Sequence, residues 1–242
     1  MDAVTAAIEA GHHLLLATGR SAVSALPVAK LLSIEGRYHV CSNGAVTMRR
    51  DRRASGGYRR IRVETFDSGP LLRTLAGLVS TGIFAVEDRH GTLLYTEGFP
   101  ETGVNTRRVN FDEMLDIQAA RIVVVSPEHT SEDFLGVVEQ MGLHRASYTV
   151  GWAAWLDIAP EGVNKATALE RVRQRMRIPR DRVVAIGDGR NDIEMLEWAG
   201  AEGIGAAMGH APQEVLDAGS EVVAPFWEDG VVSVLRRLPG VN

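Results

Sequence analysis

The 242-residue chain has one cysteine, Cys41, so no disulfide can form within it, and a reducing cytosol is the compartment that suits it. No uninterrupted apolar stretch is long enough to span a bilayer. The first residues include Asp2 and Glu9 and lack the basic segment that opens a secretory signal. A net charge of only −5 excludes whole-surface attraction to nucleic acid or to an anionic membrane. Internal repeats, low-complexity tracts and long flexible linkers are also missing. What is present is the balance of a soluble globular protein, with 45% hydrophobic and 24% charged residues. The length suits one large domain or two smaller ones with a proper core.

The pattern along the chain alternates strands and helices at both ends and changes texture in the middle. Residues 3–10 read as a helix with Val4, Ala7 and Ile8 on one face and Gly11 as its left-handed cap. Residues 13–17 form a continuous apolar run, the signature of a strand buried on both faces. A helix over 22–32 and a short strand over 38–41 follow. From 45 to 149 come strands, turns and two helical stretches, over 70–80 and 131–141, with hairpin turns at 55–57 and 88–91. The βα rhythm resumes with a strand at 154–158, a helix at 164–176, a strand at 182–186, a helix at 191–199, and short strands near 203–207 and 221–224. This predicts an α/β fold: a doubly wound, Rossmann-like parallel sheet in two parts, 1–44 and 150–242, with an α+β cap inserted over 45–149.

Open parallel sheets bind ligands outside the carboxyl ends of their strands. At those ends the sequence places Thr18-Gly19, Ser42-Asn43-Gly44, and Gly187-Asp188-Gly189-Arg190-Asn191-Asp192, with Lys165 opening the helix after the 154–158 strand. Asp188 and Asp192 supply hard oxygen ligands that suit magnesium, and the flanking glycines let the backbone turn close to a metal. The same residues also suit helix capping and the helix dipole. Thr18 and Gly19 can offer a hydroxyl and an amide to a phosphate oxygen, or simply cap a helix. Lys165 can neutralise phosphate as a point cation, though most lysines are merely solvated. Asn43 also fits an ordinary turn residue with positive φ. Arg20 fits either a substrate contact or an ion pair. Seven arginines between Arg49 and Arg62 surround a turn, as a solvated hairpin or as an attractor of anions. His12, His13, His90, His129, His144 and His210 show no metal-ligand spacing. Trp152 and Trp155 alternate on a strand, one toward the core and one toward an edge.

Four segments in order, Ala17-Thr18-Gly19-Arg20, Ser42-Asn43-Gly44-Ala45, Asp157-Ile158 through Gly162-Val163-Asn164-Lys165, and Gly187-Asp188-Gly189-Arg190-Asn191-Asp192 through Met195-Leu196, together resemble the Cof-type branch of the haloacid dehalogenase superfamily. The resemblance runs from about residue 3 to 235. It implies a magnesium-dependent phosphatase of small phosphorylated metabolites, with sugar phosphates foremost. Thr18 then resembles the residue that binds the transferring phosphate, and Lys165 the lysine that steadies it. Asp188 and Asp192 resemble the acids that hold Mg2+ directly or through water, and Asn191 a residue that orders the phosphate site. Gly19, Arg20 and Asn43 join them as substrate-binding residues. An aspartate attacks phosphorus in that family, and the acyl phosphate is then hydrolysed.

One departure matters. The family's first strand ends in Asp-x-Asp-Gly-Thr, and no such run occurs here. The nearest lookalike, Asp88-Arg89-His90-Gly91-Thr92, has histidine at the second acid and lies in the cap hairpin, so it is rejected. The expectation is that upstream sequence supplies the nucleophile, roughly twenty residues before Met1, the span of a strand and a loop. The alternative is a catalytically inactive module that binds a phosphometabolite. A mutase or transferase on the same scaffold is a third option.

Overall fold

The computed structural model describes residues 2–79, 81–99, 105–126, 128, 130, 146–150 and 155–241. The helix expected over 131–141, His129, His144 and Trp152 lie outside the described residues. No helix among those described is long and apolar enough to cross a membrane.

Three sheets make up the α/β architecture. The first is antiparallel, β1 (Tyr38–Cys41), β2 (Val46–Arg50) and β3 (Tyr58–Val63). Ser42–Gly44 makes the tight link from β1 to β2, with positive φ at all three residues (50°, 51° and 103°). Gly44 has no alternative: a Cβ there would stand 2.2 Å from the Asn164 carbonyl oxygen.

The 13–17 run departs from the expected two-face-buried strand. It is extended but only half-buried over 14–17, and one parallel bridge, Ala17 to Val40, joins it to β1. Part of the cause is a side chain that competes for the ladder. The Leu16 N–H donates to His39 Nδ1 at 3.1 Å instead of to a strand carbonyl. The other edge of 14–17, like the free edge of 184–187, meets no strand among the described residues.

The second sheet holds seven strands: β4 (Phe66–Asp67), β5 (Ile83–Asp88), β6 (Leu93–Tyr95), β7 (Thr106–Arg108), β8 (Gln118–Val125), β9 (Ala146–Val150) and β10 (Trp155–Pro160). Their order is β7-β6-β5-β8-β10-β9, with β4 beside β8. Period-two alternation sorts its residues: Phe84, Val86, Ile122, Val124, Leu156 and Ile158 share one face and pack under Leu72, Leu75 and Val79 from helix α3 (Ser68–Leu78) and its C-terminal cap. Ala85 and Val123 face the other way, against Leu93 and Phe99. The strand read as the resumption of the βα rhythm at 154–158 is therefore placed differently. It is β10, antiparallel to both β8 and β9. Leu156 and Ile158 complete the core beneath α3, which is the burial that decides its partner.

The third sheet is the parallel one, β11 (Val184–Gly187), β12 (Ile204–Met208) and β13 (Glu221–Val223). Around it run α4 (Lys165–Met176), α5 (Ile193–Gly200), α6 (Gln213–Ala218) and α7 (Gly230–Arg236). Helix α4 starts at a reciprocal cap: Asn164 Oδ1 accepts from Thr167 N at 2.8 Å, and Asn164 N donates to Thr167 Oγ1 at 3.1 Å. Its Ala168, Leu169 and Val172 pack with Tyr38 and Val40 of β1 and with Ala185, Met195 and Ala199. The first helix, α1 (Asp2–Glu9), ends at Gly11 (φ 88°) as read from the sequence, and its Ala3 and Ala7 pack on Leu235 of α7. The helix read at 22–32 is α2 (Ala22–Leu31), whose Ala22 and Ala25 pack with Cys41 and Val46.

His39 is 1% exposed. Because Nδ1 accepts from Leu16, Nε2 carries the proton and donates to the Tyr58 hydroxyl at 3.0 Å, which in turn donates to the Gly36 carbonyl. Burial lowers its pKa from 6.5 to about 4. The unfolded chain takes up this proton near pH 6.5 while the folded chain resists until about pH 4. Stability from neutral His39 is thus intact above pH 6.5 and drains away as pH falls between those limits, on the order of 3 kcal/mol in all. Urea denaturation at pH 7 and pH 4.5 checks this. His39→Gln should lose less stability between the two than wild type does, and equal losses would count against it.

Candidate active site

Two strand ends and one tight turn are stitched together at the rim where the sequence places the motifs. Thr18 N donates to Val40 O at 3.0 Å, Asn43 N to Thr18 O at 3.1 Å, and Ser42 N to Arg20 O at 2.9 Å. The loop 18–20 is therefore clamped flat on the turn 42–43. Arg20 N donates to Thr18 Oγ1 at 3.1 Å, which occupies a lone pair and leaves the hydroxyl proton to be given elsewhere. Asn43 is a turn residue with φ 51°, as the sequence allowed, and its Oδ1 also accepts from Asn191 Nδ2 at 3.0 Å. Gly19 sits beneath that pair. A Cβ there would come within 3.0 Å of Asn43 Oδ1 and 3.3 Å of Asn191 Nδ2, so a side chain would press on both amides.

The close approach of Gly44 to Asn164 brings the start of α4 to the same rim. Lys165 follows, buried, with Nζ 2.6 Å from Asp192 Oδ1. The other oxygen of Asp192 accepts from Asp188 N at 3.1 Å and Gly189 N at 3.0 Å. Gly187 is needed for this fold-back, since a Cβ would lie 2.5 Å from that of Asp192. Asp188 itself is turned outward: its side chain is 56% exposed, and its Oδ2 lies 3.2 Å from His210 Nε2. Arg20 is exposed and forms no ion pair with any described residue. Four of the seven arginines are paired, Arg50 with Glu35, Arg59 with Asp51, Arg60 with Glu87 and Arg62 with Glu64, which favours the plain hairpin reading over an attractor of anions.

Sequence reasoning missed a buried ion network beneath the rim. Arg121 Nε donates to Glu87 Oε2 at 3.0 Å, and its Nη1 reaches Asp157 Oδ2 at 3.1 Å and the Gly19 carbonyl at 2.9 Å. Ser42 Oγ donates to Glu87 Oε2 at 2.7 Å. Burial disfavours the Arg121 charge, but Asp157 and Glu87 beside it outweigh that and raise its pKa. One signal was available: charged residues at positions 87, 121 and 157 inside largely apolar strands. Cys41 is buried next to this network, and burial followed by the nearby Glu87 charge pushes its thiol up to about 12, so it is no nucleophile.

A family model described as haloacid dehalogenase-like hydrolase matches residues 1–62 and 88–235. The chain belongs to that family. The Cof-type character read from the motifs stands with it. Among curated relatives it is similar to the 5-amino-6-(5-phospho-D-ribitylamino)uracil phosphatase YitU of Bacillus subtilis, 39% identical over 89 residues, 36% of this chain and 32% of the relative. The match thus spans about a third of that relative's length. It is also similar to the pyridoxal phosphate phosphatase YbhA of Escherichia coli, 26% identical over 97% of this chain and 89% of the relative. Among solved structures it shares its fold with the HAD subclass IIB sugar phosphatase BT4131 (TM-score 0.78, 19% identity, 99% and 92% covered). A second fold match is TM0651 from Thermotoga maritima (TM-score 0.73, 20% identity, 98% and 90% covered).

Two outcomes follow from the buried groups. Arg121→Met removes the buried guanidinium that bridges Glu87 and Asp157, leaving Glu87 the longer 3.9 Å pair with Arg60, and should cost about 3–5 kcal/mol in urea denaturation. A loss under about 1 kcal/mol, the size typical of an exposed pair, would contradict the network. Cys41 should stay unmodified by iodoacetamide at pH 8 in the native protein and react only on unfolding, as mass spectrometry would show.

Proposed function

We propose that the chain carries the phosphate- and metal-binding machinery of a magnesium-dependent phosphatase acting on small phosphorylated metabolites, sugar phosphates or related esters. The observation that supports this most directly is the convergence of Lys165, Asp192 and the Asp188 loop with the Thr18–Arg20 loop through the Asn43–Asn191 amide pair.

Each side chain takes a role its hydrogen bonds leave open. The Thr18 hydroxyl proton goes to a phosphate oxygen. Lys165 gives one proton to Asp192 and keeps two for the phosphoryl group and the attacking carboxylate. Gly19 and Arg20 line the phosphate position, while Asn191 and Asn43 hold the two loops in register.

The metal fits this donor set in a particular way. Magnesium takes one or two carboxylates and keeps its waters and a substrate oxygen. Asp188, outward and half-exposed, suits direct ligation. Asp192 already bonds Lys165 and two backbone amides, so it suits contact through water. When bound, magnesium would offset charge on the phosphate.

In the proposed route an aspartate carboxylate attacks phosphorus, the alcohol leaves, and water cleaves the acyl phosphate. Asp88 is unsuited to that task, because its Oδ1 accepts from His90 N and Thr92 N within the β5–β6 hairpin. These 242 residues hold no Asp-x-Asp-Gly-Thr, so the attacking residue is assigned to sequence outside them. The same observation favours a second reading, a module that binds phosphometabolites without turnover. By name, relatives act on 5-amino-6-(5-phospho-D-ribitylamino)uracil and pyridoxal phosphate, which carry rings, and on phosphoglycolate, which does not; this widens the candidate panel beyond sugars. The lone buried cysteine fits a cytosolic setting.

Calorimetry with orthophosphate and Mg2+ tests the reading. Binding should require Mg2+, and Asp188→Ala should weaken metal affinity by at least roughly tenfold. Binding that ignores both Mg2+ and Asp188 would overturn it. Phosphate release from glucose 6-phosphate then separates the two readings, since only the phosphatase, joined to its aspartate segment, turns over.

A further inference from the structure

The three parallel strands end in a row. After β11 comes Asp188, after β12 comes His210, and after β13 comes the turn Phe226–Glu228. All three lie outside the carboxyl ends of one parallel sheet, where open α/β sheets take their ligands. His210 joins them physically. Its Nε2 is 3.2 Å from Asp188 Oδ2, its Nδ1 accepts from Phe226 N at 3.4 Å, and its ring lies 5.1 Å from that of Phe226 and 5.6 Å from that of Trp227. The two outer rings meet edge to face at 4.9 Å and 80°. They are 66% and 63% exposed.

The loop that displays these rings is held firmly. Glu228 N and Gly230 N both donate to Pro225 O, and Asp229 takes the left-handed φ of 58°. A Cβ on Gly230 would stand 1.8 Å from the Ala224 carbonyl, so the turn closes tightly on itself. Two large aromatic rings are therefore presented to solvent in a preset geometry, one His ring away from the outward carboxylate of the phosphate site. Exposed Glu228 and Asp229 border them, which disfavours a second anionic group at this place.

We propose that Trp227 and Phe226, backed by His210, form a stacking wall for a planar aromatic or heteroaromatic group on the leaving side of the phosphomonoester. This rests on the phosphate site proposed above and narrows its substrate class. Stacking of such rings needs a partner with a π face at ring-to-ring distance, which an aliphatic alcohol lacks.

Calorimetry in Mg2+ with 1-naphthyl phosphate and glycerol 1-phosphate tests it without any turnover. Wild type should bind the naphthyl ester about tenfold more tightly, the size expected for one good aromatic contact. Trp227→Ala and Phe226→Leu should each shrink that preference while leaving glycerol 1-phosphate binding unchanged. Because both side chains are mainly exposed, thermal unfolding of the two variants should match wild type. Equal affinity of wild type for the two esters, or a preference that survives both substitutions, would overturn the stacking wall. So would a Trp227→Ala variant that changes only the sedimentation coefficient, which would assign the rings to contact between copies. If neither ester binds, the phosphate site itself fails, and this inference with it.

Discussion

Asp192 accepts three hydrogen bonds on one buried carboxylate, and the geometry of the whole rim follows from where those donors come from. One is the ammonium of Lys165, at the start of a helix; the other two are backbone amides of the loop in which Asp192 itself lies. A carboxylate withdrawn from water must find such partners, because its desolvation is otherwise uncompensated. Meeting that demand pulls the 187–192 loop back on itself and docks it against α4. The outward direction of Asp188 is a by-product: once its amide is turned in to Asp192, its own carboxylate is left facing solvent.

A second constraint works from below. Arg121, Glu87 and Asp157 come from three neighbouring strands of the seven-stranded sheet, yet Arg121 reaches across to the Gly19 carbonyl and Ser42 reaches Glu87. The sheet thus braces the loop that carries Thr18 through charge-assisted bonds, which are short and directional. A network this buried contributes placement more than net stability. The 18–20 loop is held from two sides, by backbone bonds to the 42–43 turn and by a guanidinium underneath.

Local chemistry made much of this legible in advance. Gly11 as a left-handed cap, Asn164 as a helix start, the 55–57 and 88–91 turns, and the positive φ at Asn43 all follow from neighbouring residues alone. The ordered motifs also marked strand ends that the structure brings together. Thr18, Gly19, Asn43, Lys165, Asp188, Asn191 and Asp192 are linked in the structure by contacts that span up to 148 positions. The Arg20 side chain, by contrast, gained no ion pair among the described residues, and the 13–17 run keeps a single bridge to β1, in part because His39 takes the Leu16 amide.

By itself the sequence determined the α/β class, the punctuation of its elements and the residue types gathered at the strand ends, because periodicity and turn chemistry act over a few residues. Only the tertiary structure decided that Trp155–Pro160 pairs with β8 and β9, that Arg121 lies under Gly19, and that Phe226 and Trp227 stand beside His210, which reaches Asp188. Such choices depend on which distant faces bury the most apolar surface and leave the fewest charges unpaired. That is a property of the packed chain and cannot be read from any one segment of it.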